Sequence, residues 1–297
     1  MKTKQIWVIA LLLTAFVIPA AAQVNPVRGD NDPASWAGLD LVYNRDHIAS
    51  KKPIPYPSIR EADIMWSKLV WRKIDMREKM NQPLYFPTKP MGDRMSLTEL
   101  LMTAIEKGEL TAFATNDPMN EFRTPIPFDK LLEEFDAQDI IQEVEDVITG
   151  EYRIDTIAGE IRMDEVQQLL IKELWFFDRK RSVLDVRIIG ICPIRLYYKP
   201  EDYNKEDLQM KQLFWVKYPE AREILAKSEV YNPWNDAELR SFDEIFYKRF
   251  FNSFVVRESN VYNNRMINEY AIGIESLLEG ERIEDLIFRF EHDLWEY

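Results

Sequence analysis

The sequence predicts an α+β protein made of two related strand-helix subdomains, a likeness that internal duplication or chance would give, behind an extended, proline-rich N-terminal arm. Three observations carry this. Residues 64–74 and 183–198 alternate with the period of strands. Ser96 and Ser241 each open a stretch with helical apolar spacing and a glutamate three positions on, the pattern of a capping box. Finally, residues around Trp71 recur around Trp215. A chain of 297 residues, 46% hydrophobic and 12% aromatic, is long and apolar enough to bury a core.

Taken in order, the chain begins with an address. Lys2 and Lys4 precede an apolar run from Ile6 to Ala22, closed by Ala20-Ala21-Ala22 before Gln23. That is the charged, apolar and small-residue order of a secretory signal peptide, with cleavage expected between Ala22 and Gln23. Residues 1–22 are therefore read as the signal and 23–60 as the arm. Pro26, Pro33, Pro53, Pro55 and Pro57 fall in that arm, and the 53–57 run favours an extended, polyproline-like backbone. An arm carrying Trp36 and Tyr43 can lie on a neighbouring subunit or hang free.

The first subsidiary domain is placed at 61–182. After the strand at 64–74, Leu97, Leu100, Leu101, Ala104 and Ile105 line one helix face, and Gly108 supplies a left-handed stop. Residues 129–148 interleave acids with Leu131, Leu132, Phe135, Ile140, Ile141 and Val144, which predicts an amphipathic helical insertion with an acidic outer face. A solvated face and a docking surface for a basic partner are both open for it. Asp164 is expected to cap a further helix with Val166, Leu169, Leu170, Leu174 and Phe177 inward.

The second, at 183–297, begins with the clearest strand. Leu184, Val186, Ile188, Cys192, Ile194 and Leu196 are expected on one face with Gly190. An acidic loop at 199–202 suggests a hairpin to 209–218, and the proline-free stretch after Pro233 suggests mostly helix. The repeated pattern pairs Trp71-Arg-Lys73 with Trp215-Val-Lys217, Arg77-Glu78 with Arg222-Glu223, and Ser96-Leu-Thr-Glu99 with Ser241-Phe-Asp-Glu244. Leu174-Trp175 and Leu294-Trp295 would close a helix in each half.

Scarce residues exclude much chemistry. Nine glycines, with no two spaced for a dinucleotide or phosphate-binding loop, close those routes. His47, His292 and Cys192 are too few for a zinc ribbon, and a lone cysteine forms no intrachain disulfide. Fifty-one acids against 38 bases, a net charge of −13, argue against a nucleic-acid groove. Asp30-Asn31-Asp32 starts like a calcium loop but has Ser35 and Leu41 where glycine and glutamate belong. No catalytic, cofactor-binding or metal-binding residue is assigned. Cys192 is expected to be an inert core thiol and His292 a surface residue of a helix. Trp36, Glu133, Glu134, Tyr203 and Trp234 are the candidate partner surface.

Several segments, in order, resemble the GldN/PorN family of gliding-motility and type IX secretion proteins. They include Trp71-Arg-Lys-Ile-Asp-Met-Arg-Glu-Lys-Met-Asn-Gln-Pro-Leu-Tyr-Phe-Pro87, Val183-Leu-Asp-Val-Arg-Ile-Ile-Gly-Ile-Cys-Pro-Ile194 and Leu213-Phe-Trp-Val-Lys-Tyr-Pro-Glu-Ala-Arg222. Phe251-Asn-Ser-Phe-Val-Val-Arg-Glu-Ser-Asn260 and Phe290-Glu-His-Asp-Leu-Trp-Glu-Tyr297 complete the set. The resemblance implies a periplasmic, non-enzymatic subunit that self-associates in a ring beneath the outer membrane. Its implied partners are an outer-membrane lipoprotein of the GldK/PorK type and the periplasmic region of a GldM/PorM motor protein. No cofactor is implied. A periplasmic carboxylate-dependent hydrolase and a periplasmic ligand-binding module are the competing classes.

Overall fold

In the computed structural model the described residues are 50–294, apart from 92–93, 116–120, 136, 138–139, 146–151, 158–160, 199–206, 233–234, 236–237 and 239. An antiparallel eight-stranded sheet organises them. Its strands are β1 (Ile64–Asp75), β2 (Ala112–Phe113), β3 (Pro125–Ile126), β6 (Val166–Asp178), β7 (Val183–Tyr198), β8 (Leu208–Gln212), β9 (Trp215–Lys217) and β12 (Phe254–Glu258). They run in the order β12-β1-β6-β7-β9-β2-β3, with β8 also paired to β7. Two small ribbons stand apart, β4 (Ile140–Glu145) with β5 (Tyr152–Ile157) and β10 (Glu229–Val230) with β11 (Arg240–Ser241).

The helices are α1 (Gln82–Tyr85), α2 (Leu97–Glu106), α3 (Phe128–Glu134), α4 (Tyr218–Lys227), α5 (Phe242–Tyr247) and α6 (Ile274–Asp293). One face of the sheet carries the main core, where Ile74, Leu169, Ile171 and Val216 meet Leu97 and Leu101 of α2, Leu225 of α4 and Phe242 of α5. Helix α6 packs Ile283 and Ile287 on Val70 and Val255 in a second cluster. The opposite face gathers Trp71, Phe113, Leu170, Cys192, Ile194 and Trp215.

Both capping serines do as their pattern requires. Ser96 accepts from the Glu99 amide and Ser241 from the Glu244 amide, each satisfying one otherwise orphaned helical N–H. Gly108 takes φ 72° just past α2, a conformation open to glycine at no steric cost.

The segments that recur in sequence are matched across the sheet. Trp71 of β1 lies opposite Arg257 of β12, and Trp215 of β9 lies opposite Phe113 of β2. The offset is 144 positions in both cases, from 71 to 215 and from 113 to 257. Each strand-helix-strand segment thus lends its last strand to the other, about the central β6–β7 hairpin. Asp46–Tyr297 forms one compact unit, and the boundary expected at 182/183 falls in the turn of that hairpin.

Four local expectations are corrected. Residues 166–178 are strand rather than helix: β6 is central and buried on both faces, so it reads as a continuous apolar run that also fits a helical spacing. Asp164 accordingly sits in a single 3-10 turn, and Leu174-Trp175 lies in a strand. The acidic 129–148 region is helical only to Glu134, after which β4 pairs with β5; the adjacent Ile140-Ile141 and the Val144 beyond them suit a strand. The stretch after Pro233 includes β12, whose Phe254-Val-Val256 favours a sheet. In β7 a bulge at Ile189, between the pairs Lys172–Gly190 and Glu173–Ile188, shifts the alternation. Ile188 therefore joins the helical face while Cys192 joins the tryptophan face.

Candidate interaction surface

Strand alternation puts Leu69, Trp71 and Lys73 on the same side of β1. A second bulge, at Val256, turns Arg257 onto that side too, because Trp71 pairs with Arg257 and Arg72 with Val255. The loop after β2 then drops Glu121 onto the exposed sheet. Trp71 Nε1 donates to Glu121 Oε1 at 2.8 Å, Arg257 Nη2 donates to the same oxygen at 2.7 Å, and Lys172 Nζ donates to Oε2. The Arg257 guanidinium lies 4.0 Å and the Lys172 ammonium 4.9 Å from the Trp71 ring centroid. One buried carboxylate is thereby held by two cations and an indole N–H, a set that gives each of its oxygens a charge-assisted partner.

Next to Glu121, Phe122 covers the other tryptophan. Its ring meets Trp215 at 5.7 Å and Phe113 at 5.9 Å between centroids, both edge to face. Gly190 makes room for it: a Cβ there would fall 2.3 Å from Phe122 Cζ. Cys192, fully buried on the same face, has its thiol pushed up by burial, so it carries no thiolate at neutral pH.

On the helical face the proline-rich arm ends in a strap. Arg222 Nη2 donates to the Ile54 carbonyl at 2.7 Å, Arg187 donates to the Pro57 carbonyl, and Lys51 pairs with Glu244 at 2.6 Å. Tyr56 lies between the guanidiniums of Arg222, at 4.3 Å, and Arg187, at 4.9 Å. Asp243 anchors this arrangement, accepting from Arg222 at 2.8 and 3.0 Å and from the Tyr218 hydroxyl at 2.9 Å. Burial, with Asp243 adding to it, pushes the Tyr218 phenol up and keeps it a donor.

Two cavities open along the tryptophan face. One, of about 280 Å³, lies between the sheet and the start of α6 and is lined by Lys73, Leu170, Ile194, Met210, Phe254 and Leu277 among others. The second, of about 410 Å³, includes Glu121, Glu134, Lys211 and Arg257, and shares Met210, Gln212 and Met266 with the first. Its acids are already engaged, Glu121 as above and Glu134 with Lys211 at 2.7 Å. At the mouth of the first cavity Met210 and Leu277 are exposed, and Ile274 and Leu278 are exposed on another face of the same helix end.

Of the candidate partner residues, Glu134 lines the second cavity and Glu133 is exposed on α3. Trp36, Tyr203 and Trp234, like Ala22, Gln23 and the Asp30–Asp32 motif, lie outside the described residues. His292 is exposed near the end of α6. Sequence reasoning missed Lys73, Glu121, Met210 and Arg257. Only Lys73 had a readable signal, its shared face with Trp71. Among the described residues no group of three or more His, Cys, Asp or Glu could hold a metal ion, and no helix is long and apolar enough to cross a membrane.

The fold and surface thus define an α+β sheet protein with its buried charges engaged in internal pairs and its apolar residues exposed at the head of one helix. Residues 59–296 match the family described as gliding motility associated protein GldN, and the chain belongs to that family. No curated protein matches the sequence.

Proposed function

We propose that the chain is a non-enzymatic structural subunit of a type IX secretion and gliding-motility assembly. In this reading it is exported by its leader and held at the periplasmic side of the outer membrane by a lipoprotein partner of the GldK/PorK type. It self-associates in a ring and contacts the periplasmic region of a GldM/PorM motor protein. The family match over most of the chain carries the proposal. Glu121 and Glu134, the two acids of the larger cavity, are each tied to bases, an arrangement that suits a packed support better than a pair of catalytic carboxylates.

Purification of the tagged chain from detergent-solubilised envelopes tests this. A lipoprotein should co-purify in near-stoichiometric amount, in particles far larger than 35.3 kDa. A monodisperse monomer with no envelope partner would overturn it.

A further inference from the structure

The 280 Å³ cavity has an unusual lining. Of its thirteen residues Lys73 alone is ionisable, and among the described residues no carboxylate lies within ion-pair distance of it. Its ammonium faces the Phe254 ring, 5.5 Å from the centroid. Leu170, Ile194, Met210 and Val256 supply an apolar floor and wall, while Gln212, Asn268 and Ser276 offer polar atoms. Every neighbouring buried cation on this face, Lys172 and Arg257 included, already has its acid.

We propose that this cavity docks a segment of another protein that presents one carboxylate beside a large apolar side chain. The proposal deepens the scaffold role argued above and rests on it only for the existence of a protein partner. Charge complementarity selects the carboxylate: a partly desolvated ammonium in an apolar setting gains most from an opposite charge that arrives with its own apolar surroundings. Burial already lowers the proton affinity of Lys73, with Asp75 only partly offsetting it. In a chain of net charge −13, this is a local invitation to an anion against the general field.

Size selects a protein segment over a small molecule. At about 280 Å³ the cavity lies just under the ~300–1,000 Å³ of ordinary small-molecule pockets, enough for one or two side chains. The rim supplies the rest of the contact. Met210 is 62% and Leu277 52% exposed, and both line the cavity. An apolar rim around a pocket with a single charge is the layout of an interaction hot spot, and exposed methionine adapts to the chain laid over it.

The test uses the purified chain with ¹³C-methyl methionine and two probes, acetyl-Leu-Glu-Leu-amide and acetyl-Leu-Gln-Leu-amide. The glutamate peptide should shift the Met210 and Met266 methyl signals saturably and bind roughly tenfold tighter than the glutamine peptide. Lys73→Met should erase that preference with methyl dispersion retained, and Leu277→Asp, at an exposed position, should weaken both peptides. Equal binding of the two peptides, no saturable shift, or tighter binding of dodecanoate than of the glutamate peptide would overturn the proposal. So would self-association of the chain that Leu277→Asp abolishes, since a second copy would then own the pocket. In envelope extracts the two variants should lose the co-purifying partner; a partner retained equally by both overturns the pocket and leaves the scaffold role standing. If wild type brings down no partner, the scaffold role falls and so does this docking proposal.

Discussion

Trp71 and Trp215 occupy matched places in one sheet, yet their surroundings are opposite in kind. Trp71 has Arg257 across the strand, Lys172 alongside in β6 and Glu121 on its indole N–H. Trp215 has Phe113 across the strand and Phe122 over its ring, and Cys192 lies beside it, one step along the ladder from the Ile191–Val216 pair. The backbone scaffold therefore fixes where an indole sits and leaves open whether charge or hydrocarbon surrounds it. Charge was used on the half that borders β12 and the apolar cavity, and aromatic rings on the half that Phe122 closes. A buried charge cluster gives no more stability than good hydrocarbon packing, but it penalises any rearrangement that separates its members.

The comparison breaks hardest at Glu121. Glu121→Ala leaves Lys172 and Arg257 buried without their counter-charge and should cost about 3–5 kcal/mol in urea unfolding. A loss under ~1 kcal/mol would mean that water replaces the carboxylate and that the cluster is not closed. On the aromatic half the matching probe is Gly190→Ala. The new methyl meets Phe122 at 2.3 Å and the Val216 carbonyl at 2.9 Å, and should cost about 1–3 kcal/mol. Combining it with Phe122→Ala should give less than the sum of the two, since part of the clash disappears with the ring.

Replacing each indole by phenyl compares the two sites directly. Both changes remove similar volume, but Trp71→Phe also takes a donor from the buried Glu121. Its cost should exceed that of Trp215→Phe by about 1–2 kcal/mol. Equal costs would show that the 2.8 Å contact contributes nothing net.

How much of this was legible in the sequence depends on the range over which each feature is written. β1, β7 and the Ser96 and Ser241 caps need only a few neighbours, so alternation and capping patterns reveal them. β6 misleads because a strand covered on both faces loses its alternation, and 166, 169, 170, 174 and 177 then mimic a helix face. β12 lies in a proline-free stretch, which permits a helix without requiring one, and Val255 and Val256 argue for a sheet. The bulges at Ile189 and Val256 flip side chains between faces, and a single sequence gives no mark of them. At the site, Trp71 and Trp215 stand out as a repeat, and Lys73 follows from alternation. Glu121 does not, because it meets Trp71 across 50 positions and Arg257 across 136, from a loop without periodicity.

The finest contrast is between Lys172 and Cys192, the side chains next to the two indoles in the central hairpin. Burial pushes the Cys192 thiol up in the folded state, whereas the unfolded thiol ionises near pH ~8.5. Below that value both states hold the proton and stability does not respond to pH through this group. Above it the unfolded chain releases a proton that the folded chain keeps, so folding stability falls by up to about 1.4 kcal/mol per pH unit. Cys192→Ala should remove that slope between roughly pH 9 and 10 while shifting the plateau below it by a constant cavity cost. Urea midpoints of wild type and variant across this window provide the measurement. Parallel pH profiles would show that the thiol ionises as readily in the folded protein as outside it, and that the aromatic half is as open to water as the rim of the cavity lined by Lys73.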